Sequence, residues 1–146
     1  MMLGFLGIAQ TRSVGRTPLR AAVIAAIGFA AAAAFQVALA LGAPLGMAAW
    51  GGRQRVLPGA LRLASAGAAV VLVAAAAIVV GRAGFWGARI PSVFRIGIWL
   101  VIGQMSLNTL TNLASPSPWE RYLMSVLSGT LAVLCIVVAR APRPPT

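Results

Sequence analysis

The sequence predicts an all-α membrane protein, with four transmembrane helices in one antiparallel bundle. Of its 146 residues, 60% are apolar and only 9% are charged, against about 25% charged in an average globular protein. The apolar residues gather into four runs, each near the ~20 residues a helix needs to cross a hydrocarbon core. Ala is the commonest residue (30) and Gly is frequent (16), as in multi-pass proteins whose helices approach closely. The length suits a single domain, residues 1–146.

The first span covers residues 21–41 and stops at Gly42-Ala43-Pro44, where chain flexibility and a missing N–H donor end a helix. The second covers 59–80, with Pro58 at its start and Gly81 placed as the stop. The third, 93–114, is the least apolar, and only 96–103 is free of polar and charged side chains. The fourth, 118–139, lies between Ser115-Pro116-Ser117-Pro118 and Arg140-Ala141-Pro142. Residues 140–146 form a short Pro/Arg tail. Residues 1–20 form a basic segment in which eight apolar residues, too few to span, precede Arg12, Arg16 and Arg20. A secretory leader has its positive charges before its apolar core. Ala38-Leu39-Ala40 matches a small-x-small cleavage pattern, but Ala-rich chains produce that by chance, so the first span is expected to be retained.

All the positive charge comes from twelve Arg. They stand singly or in pairs between apolar runs, an arrangement that suits anchoring to anionic membrane lipids rather than nucleic-acid binding. With four spans, Arg12, Arg16, Arg20, Arg82, Arg89, Arg95, Arg140 and Arg143 share the side of the termini. Arg53, Arg55, Arg62 and Arg121 lie opposite. The positive-inside bias puts both termini in the cytoplasm. Trp50, Trp119 and Tyr122 then fall at the outer boundary, and Trp86 and Phe94 near the inner one.

The chain contains no His, Asp or Lys, and Glu120 is its one acidic residue. General acids, bases and metal ligands come mainly from those types, so no enzyme activity, cofactor or metal site is expected. The lone Cys135 lies in an apolar run, where it acts as a small hydrophobe. Ser117-Pro118-Trp119-Glu120 has the pattern of a capping box, with Ser117 as N-cap and Glu120 at the third helical position. Alternatively, Glu120 pairs with Arg53, Arg55 or Arg62 and locks the first outer loop to the fourth helix. Arg121 belongs to the same outer cluster.

Ala22, Ala26, Ala30, Ala34 and Ala38 recur every four residues and form a candidate helix-packing ridge. Gln104, Asn108, Thr111 and Asn112 share a face of the third span, and Gln36 lies at a similar depth in the first. Amides facing lipid are costly unless bonded, so these side chains are expected to point into the bundle, as interhelical glue or as the lining of a polar cavity. The first outer connection, 42–58, is rich in Gly and Pro yet apolar, and reads as a loop at the outer leaflet with Arg53 and Arg55 at phosphate level. There they either anchor lipid or recognise an anionic ligand.

Phe35-Gln36, Gly42-Ala43-Pro44-Leu45-Gly46, Ala49-Trp50-Gly51-Gly52, Leu57-Pro58 and Leu61-Arg62, followed by Asn108, Ser117 and Glu120-Arg121, carry a resemblance. Over residues 35–125 the chain resembles a group of small, uncharacterised four-span membrane proteins of high-GC bacteria. The resemblance implies a four-helix fold in a bacterial plasma membrane and directs attention to the outer face. The expected role is a non-enzymatic accessory or structural component that packs against other helices, as a homo-oligomer or with a membrane-protein partner. The alternative is a small oligomeric channel or facilitator lined by Gln36, Gln104, Asn108 and Asn112.

Overall fold

A computed structural model of the chain describes residues 16–85 and 91–142, with Arg16 described through its backbone alone. The segment 1–15 with Arg12, the boundary residues Trp86 and Arg89, and Arg143 in the tail lie outside the described residues. Four helices organise the rest: α1 (Arg16–Ala40), α2 (Gly59–Arg82), α3 (Ser92–Leu113) and α4 (Ser125–Arg140). A 3₁₀ turn, Gly46–Ala48, lies in the α1–α2 connection, and a π-helical segment, Trp119–Met124, runs directly into α4. No strand occurs among the described residues. Four stretches, Thr17–Ala40, Gly59–Arg82, Ser92–Leu113 and Trp119–Arg140, are long and apolar enough to cross a membrane.

Local chemistry explains where the helices stop. Past α1, Gly42 takes φ 92°, and the Gly42 and Ala43 N–H groups donate to the Leu39 and Ala38 carbonyls at 3.0 and 2.9 Å. This pairing satisfies carbonyls that a helix end otherwise leaves open, and it needs a left-handed residue that glycine adopts without strain. Past α2, Gly84 repeats the device at φ 85°, with the Phe85 N–H donating to the Val80 carbonyl at 3.4 Å. Gly81 is therefore not the stop that the sequence suggests. It lies buried inside α2, where a Cβ would come within 2.7 Å of the Phe94 ring. The missing side chain there makes room for α3.

The helices contact one another in chain order, with α1 packed most extensively on α2, α3 on α4, and α4 back on α1. The α2–α3 seam is the thinnest of these contacts. One core joins all four helices through Ala25 and Phe29, Ala75 and Val79, Ile98 and Met105, and Leu131 and Cys135. A second, smaller cluster of Leu39, Ala49 and Leu57, with Phe35 and Leu61 against it, lies under the α1–α2 loop.

The Ala ridge predicted on α1 is not its buried line within this chain. Ala22 is buried, Ala26 and Ala38 are half-buried, and Ala30 and Ala34 are exposed. The buried line runs Ala22, Ala25, Phe29, Ala33. A step of four residues overshoots a full helical turn by about 40°, so a strict four-residue repeat rotates away from any straight neighbour. Only 22 to 33% of each span's most apolar window is buried in the chain, so most of that surface faces outward.

Two arginines of α2 fasten the helix ends. The Arg62 Nε donates to the Ala40 carbonyl at the end of α1 at 2.8 Å. The Arg82 Nη2 donates to the Ala139 and Ala141 carbonyls at the end of α4, at 2.7 and 3.3 Å. Each puts a cation at the negative end of a helix dipole and satisfies carbonyls left open there.

Candidate functional site

The polar side chains that bond between segments concentrate where the α1–α2 loop (41–58) meets the α3–α4 connection (114–118). Glu120 lies at the start of the π-helical segment and is only 8% exposed. Its Oε1 accepts the Gly51 N–H at 3.0 Å, and its Oε2 accepts a short hydrogen bond from the Ser115 hydroxyl. Ser115 is a hub: its Oγ also accepts the Ser117 N–H at 3.1 Å, and its carbonyl accepts the Arg121 Nη2 at 2.9 Å. The Ser117 hydroxyl donates to the Met47 carbonyl at 2.9 Å, across 70 residues of sequence. The Trp50 indole N–H donates to the buried Ser65 hydroxyl on α2 at 3.0 Å.

This web replaces the capping box expected from the sequence. No side chain caps the fourth span: the Ser117 hydroxyl is taken by Met47, and Glu120 is turned to the first loop. Glu120 does tie that loop to the fourth span, but through a backbone N–H, and no arginine pairs with it among the described residues. Arg62 is engaged on the Ala40 carbonyl. Arg53 and Arg55 are exposed, and their side chains make no hydrogen bond or ion pair among the described residues. Charge alone suggested an arginine partner, whereas the loop's backbone brings a donor to the carboxylate.

The loop itself is bent sharply. Trp50, Gly51 and Gly52 all have positive φ (53°, 84° and 66°). Left-handed backbone is strained for a bulky residue such as Trp and persists only where its surroundings hold it. Here the indole bond to Ser65 and the Gly51 bond to Glu120 hold it on both sides. At Gly52 a Cβ would meet the Met47 carbonyl at 2.8 Å and Ser117 at 2.9 Å, so glycine is needed for contact as well as conformation. The loop borders a half-open cavity of about 330 Å³ lined by Trp50, Gly51, Arg53, Gln54, Leu57 and Leu61, among others. Many of the residues that carry the sequence resemblance, from Phe35 through Trp50-Gly51-Gly52 to Glu120, meet at this end.

The polar residues of α3 are arranged differently from expectation. Gln104 and Thr111 are exposed, and Asn108 and Asn112 are half-buried, so the stripe turns largely out of the bundle. Its bonds stay on its own helix: the Gln104 Nε2 donates to the Asn108 Oδ1 at 3.0 Å, and the Thr111 hydroxyl donates to the Asn108 carbonyl at 3.1 Å. Such local bonds partly satisfy the amides without a partner helix, which is why polarity alone did not dictate an inward direction. Gln104 also lines a cleft of about 270 Å³ between α2 and α3, with Val71, Ala75, Ile78, Gly97 and Val101. Gln36 is not joined to this stripe, and its Oε1 is buried without a hydrogen-bond partner among the described residues.

A hydroxyl pair that joins α3 to α4 comes from residues that the sequence reading passed over. The Thr109 and Ser128 hydroxyls lie 3.0 Å apart between α3 and α4. Each is also 2.8 Å from a carbonyl of its own helix, Met105 and Met124. One hydroxyl can donate across the interface while the other's proton goes to its carbonyl. Ser65 was passed over as well, while Ser115 was read only as a boundary of the fourth span and Trp50 as an outer-boundary ring in a loop that carries the resemblance. A serine within an apolar run was the available signal for Ser65 and Ser128.

No group of three or more His, Cys, Asp or Glu residues that could hold a metal ion occurs among the described residues. No protein-family model, curated protein or solved structure matches the chain.

Proposed function

We propose that the chain is a multi-pass integral membrane protein that acts as a non-enzymatic helix-packing component, associating with other transmembrane helices through the outward face of α3. In this reading its four spans form an antiparallel bundle in a bacterial plasma membrane, with both termini in the cytoplasm and the loop end outside. It belongs in kind with the small four-span proteins of high-GC bacteria that it resembles. The observation that carries the proposal is the stripe of Gln104, Asn108 and Thr111 turned largely out of the bundle, with Gln104 at the α2–α3 cleft. Amides and hydroxyls at membrane depth favour a partner helix, and each interhelical bond contributes about 0.6–2 kcal/mol. The lack of an enzyme is supported by chemistry: the one carboxylate has both oxygens engaged, and the chain has no His, Asp or Lys.

Native mass spectrometry of the protein extracted from its own membrane in mild detergent tests this. A complex with a second polypeptide or a defined homo-oligomer, dissociated by Gln104→Leu with Asn108→Leu, is the expected result. A monomer before and after the substitutions would sink it.

A further inference from the structure

We propose that the cavity under the 41–58 loop is a binding site for a phosphate-ester anion, with the Arg53 guanidinium as the principal recognising group. The inference stands on the geometry of this end alone and is independent of how α3 is used.

Charge comes first. The chain carries twelve Arg against one carboxylate, and that carboxylate is buried, held by Gly51 and Ser115 rather than by a cation. Of the arginines around it, Arg62 and Arg121 are engaged on carbonyls. Arg53 lines the cavity with no internal counter-charge, and the Gln54 amide beside it is also without a side-chain partner among the described residues. No carboxylate among the described residues is placed to occupy Arg53, which leaves its guanidinium open to an anion from solution or membrane. A planar guanidinium binds phosphate through two parallel hydrogen bonds, and a neighbouring amide N–H₂ can donate a third.

Shape and stiffness come next. A volume of about 330 Å³ is at the small end of the ~300–1,000 Å³ typical of ligand pockets, which suits a compact headgroup. Leu57, Leu61 and the Trp50 ring give the same cavity an apolar wall. This combination fits a phosphate joined to a glycerol or acyl portion better than a free inorganic ion. The walls are held in place before any ligand arrives: Trp50 is tied to Ser65, Gly51 to Glu120, and the Gly46 N–H to the Arg55 carbonyl at 2.9 Å. Preorganisation of this kind lowers the ordering cost of binding. The source of the phosphate is either an anionic phospholipid headgroup or a soluble phosphate ester, and the chemistry at Arg53 is common to both.

Titration of the detergent-solubilised protein with phosphatidylglycerol, and separately with sn-glycerol 3-phosphate, followed by native mass spectrometry, tests the site. One saturable adduct per chain is expected. Arg53→Gln should weaken it about tenfold or more, because charge-assisted hydrogen bonds are lost. Arg95→Gln, an exposed arginine in the first turn of α3, should leave it unchanged. Leu61→Trp, which fills the cavity and keeps Arg53, should also abolish it. Saturation by the phospholipid alone assigns a lipid headgroup, and saturation by glycerol 3-phosphate assigns a soluble ester. Absence of a saturable adduct with either probe, or equal loss in Arg53→Gln and Arg95→Gln, overturns the proposal. Arg53 is exposed, so its substitution leaves the fold intact, and an unchanged melting temperature verifies this.

Discussion

At the loop end, Glu120, Ser117 and Trp50 each reach a partner on a distant segment, whereas on α3 Gln104 and Thr111 bond only within their own helix. Both regions carry polar groups in a chain that is otherwise apolar. In the first, hydrogen bonds are closed within the chain, and they fix two connections against each other. In the second, the local bonds leave donors and acceptors on the outside of the bundle. The difference separates groups that stabilise this chain from groups available to another one. Substitutions can therefore break one region without touching the other.

The largest effect is expected at Glu120. Glu120→Ala removes two hydrogen bonds to a charged group and leaves a buried serine hydroxyl and the Gly51 N–H without it, a loss of about 3 kcal/mol or more. Denaturant titration in detergent should show this as a large fall in stability, with Glu120→Gln falling less. If Glu120→Ala were neutral, the loop end would not be the anchored region. Next comes Gly81→Leu, which drives a side chain into the Phe94 ring at the seam and should destabilise by about 1–3 kcal/mol, read in the same titration. Thr109→Val deletes one hydroxyl of the α3–α4 pair and should cost about 0.6–1.7 kcal/mol. Adding Ser128→Ala to it should cost little more, since the pair acts as a unit. The smallest effect on the isolated chain is expected from Gln104→Leu, within about 0.5 kcal/mol, as for other outward-facing positions. A large fall there would mean that Gln104 is structural and would collapse the contrast between the two regions.

The extent of the helices was legible in the sequence to a large degree, because apolar length, proline and glycine are local signals. The stretches 59–80 and 93–114 match Gly59–Arg82 and Ser92–Leu113 to within two residues. The helix α1 begins at Arg16, ahead of the span expected over 21–41, because charges end a membrane span without ending a helix. The faces were not legible. When nearly every side chain of α1 is apolar, burial is decided by which residues fit the neighbouring helices, as Gly28 fits against Leu131, and periodicity has no polar side to report. At the candidate site, Glu120 announced itself by being the one acid, and Arg53 by its position in an apolar loop. The partner of Glu120 did not, because it is a backbone N–H 69 residues away, and backbone donors carry no residue-type signal. The Trp50-Gly51-Gly52 bend was hinted at by its two glycines, but the positive φ of the tryptophan itself was not.

In the proposed role the outward face of α3, unlike the rest of the bundle's surface, meets other protein. Photo-crosslinking in the native membrane tests this directly, with a benzophenone amino acid placed at Leu107 on α3 and, in a second variant, at Ile27 on α1. Both positions are exposed, at 56 and 64%, and they lie on helices that do not neighbour each other in the bundle. A discrete protein adduct is expected from position 107 and lipid adducts alone from position 27. Lipid adducts alone from both positions would contradict that role.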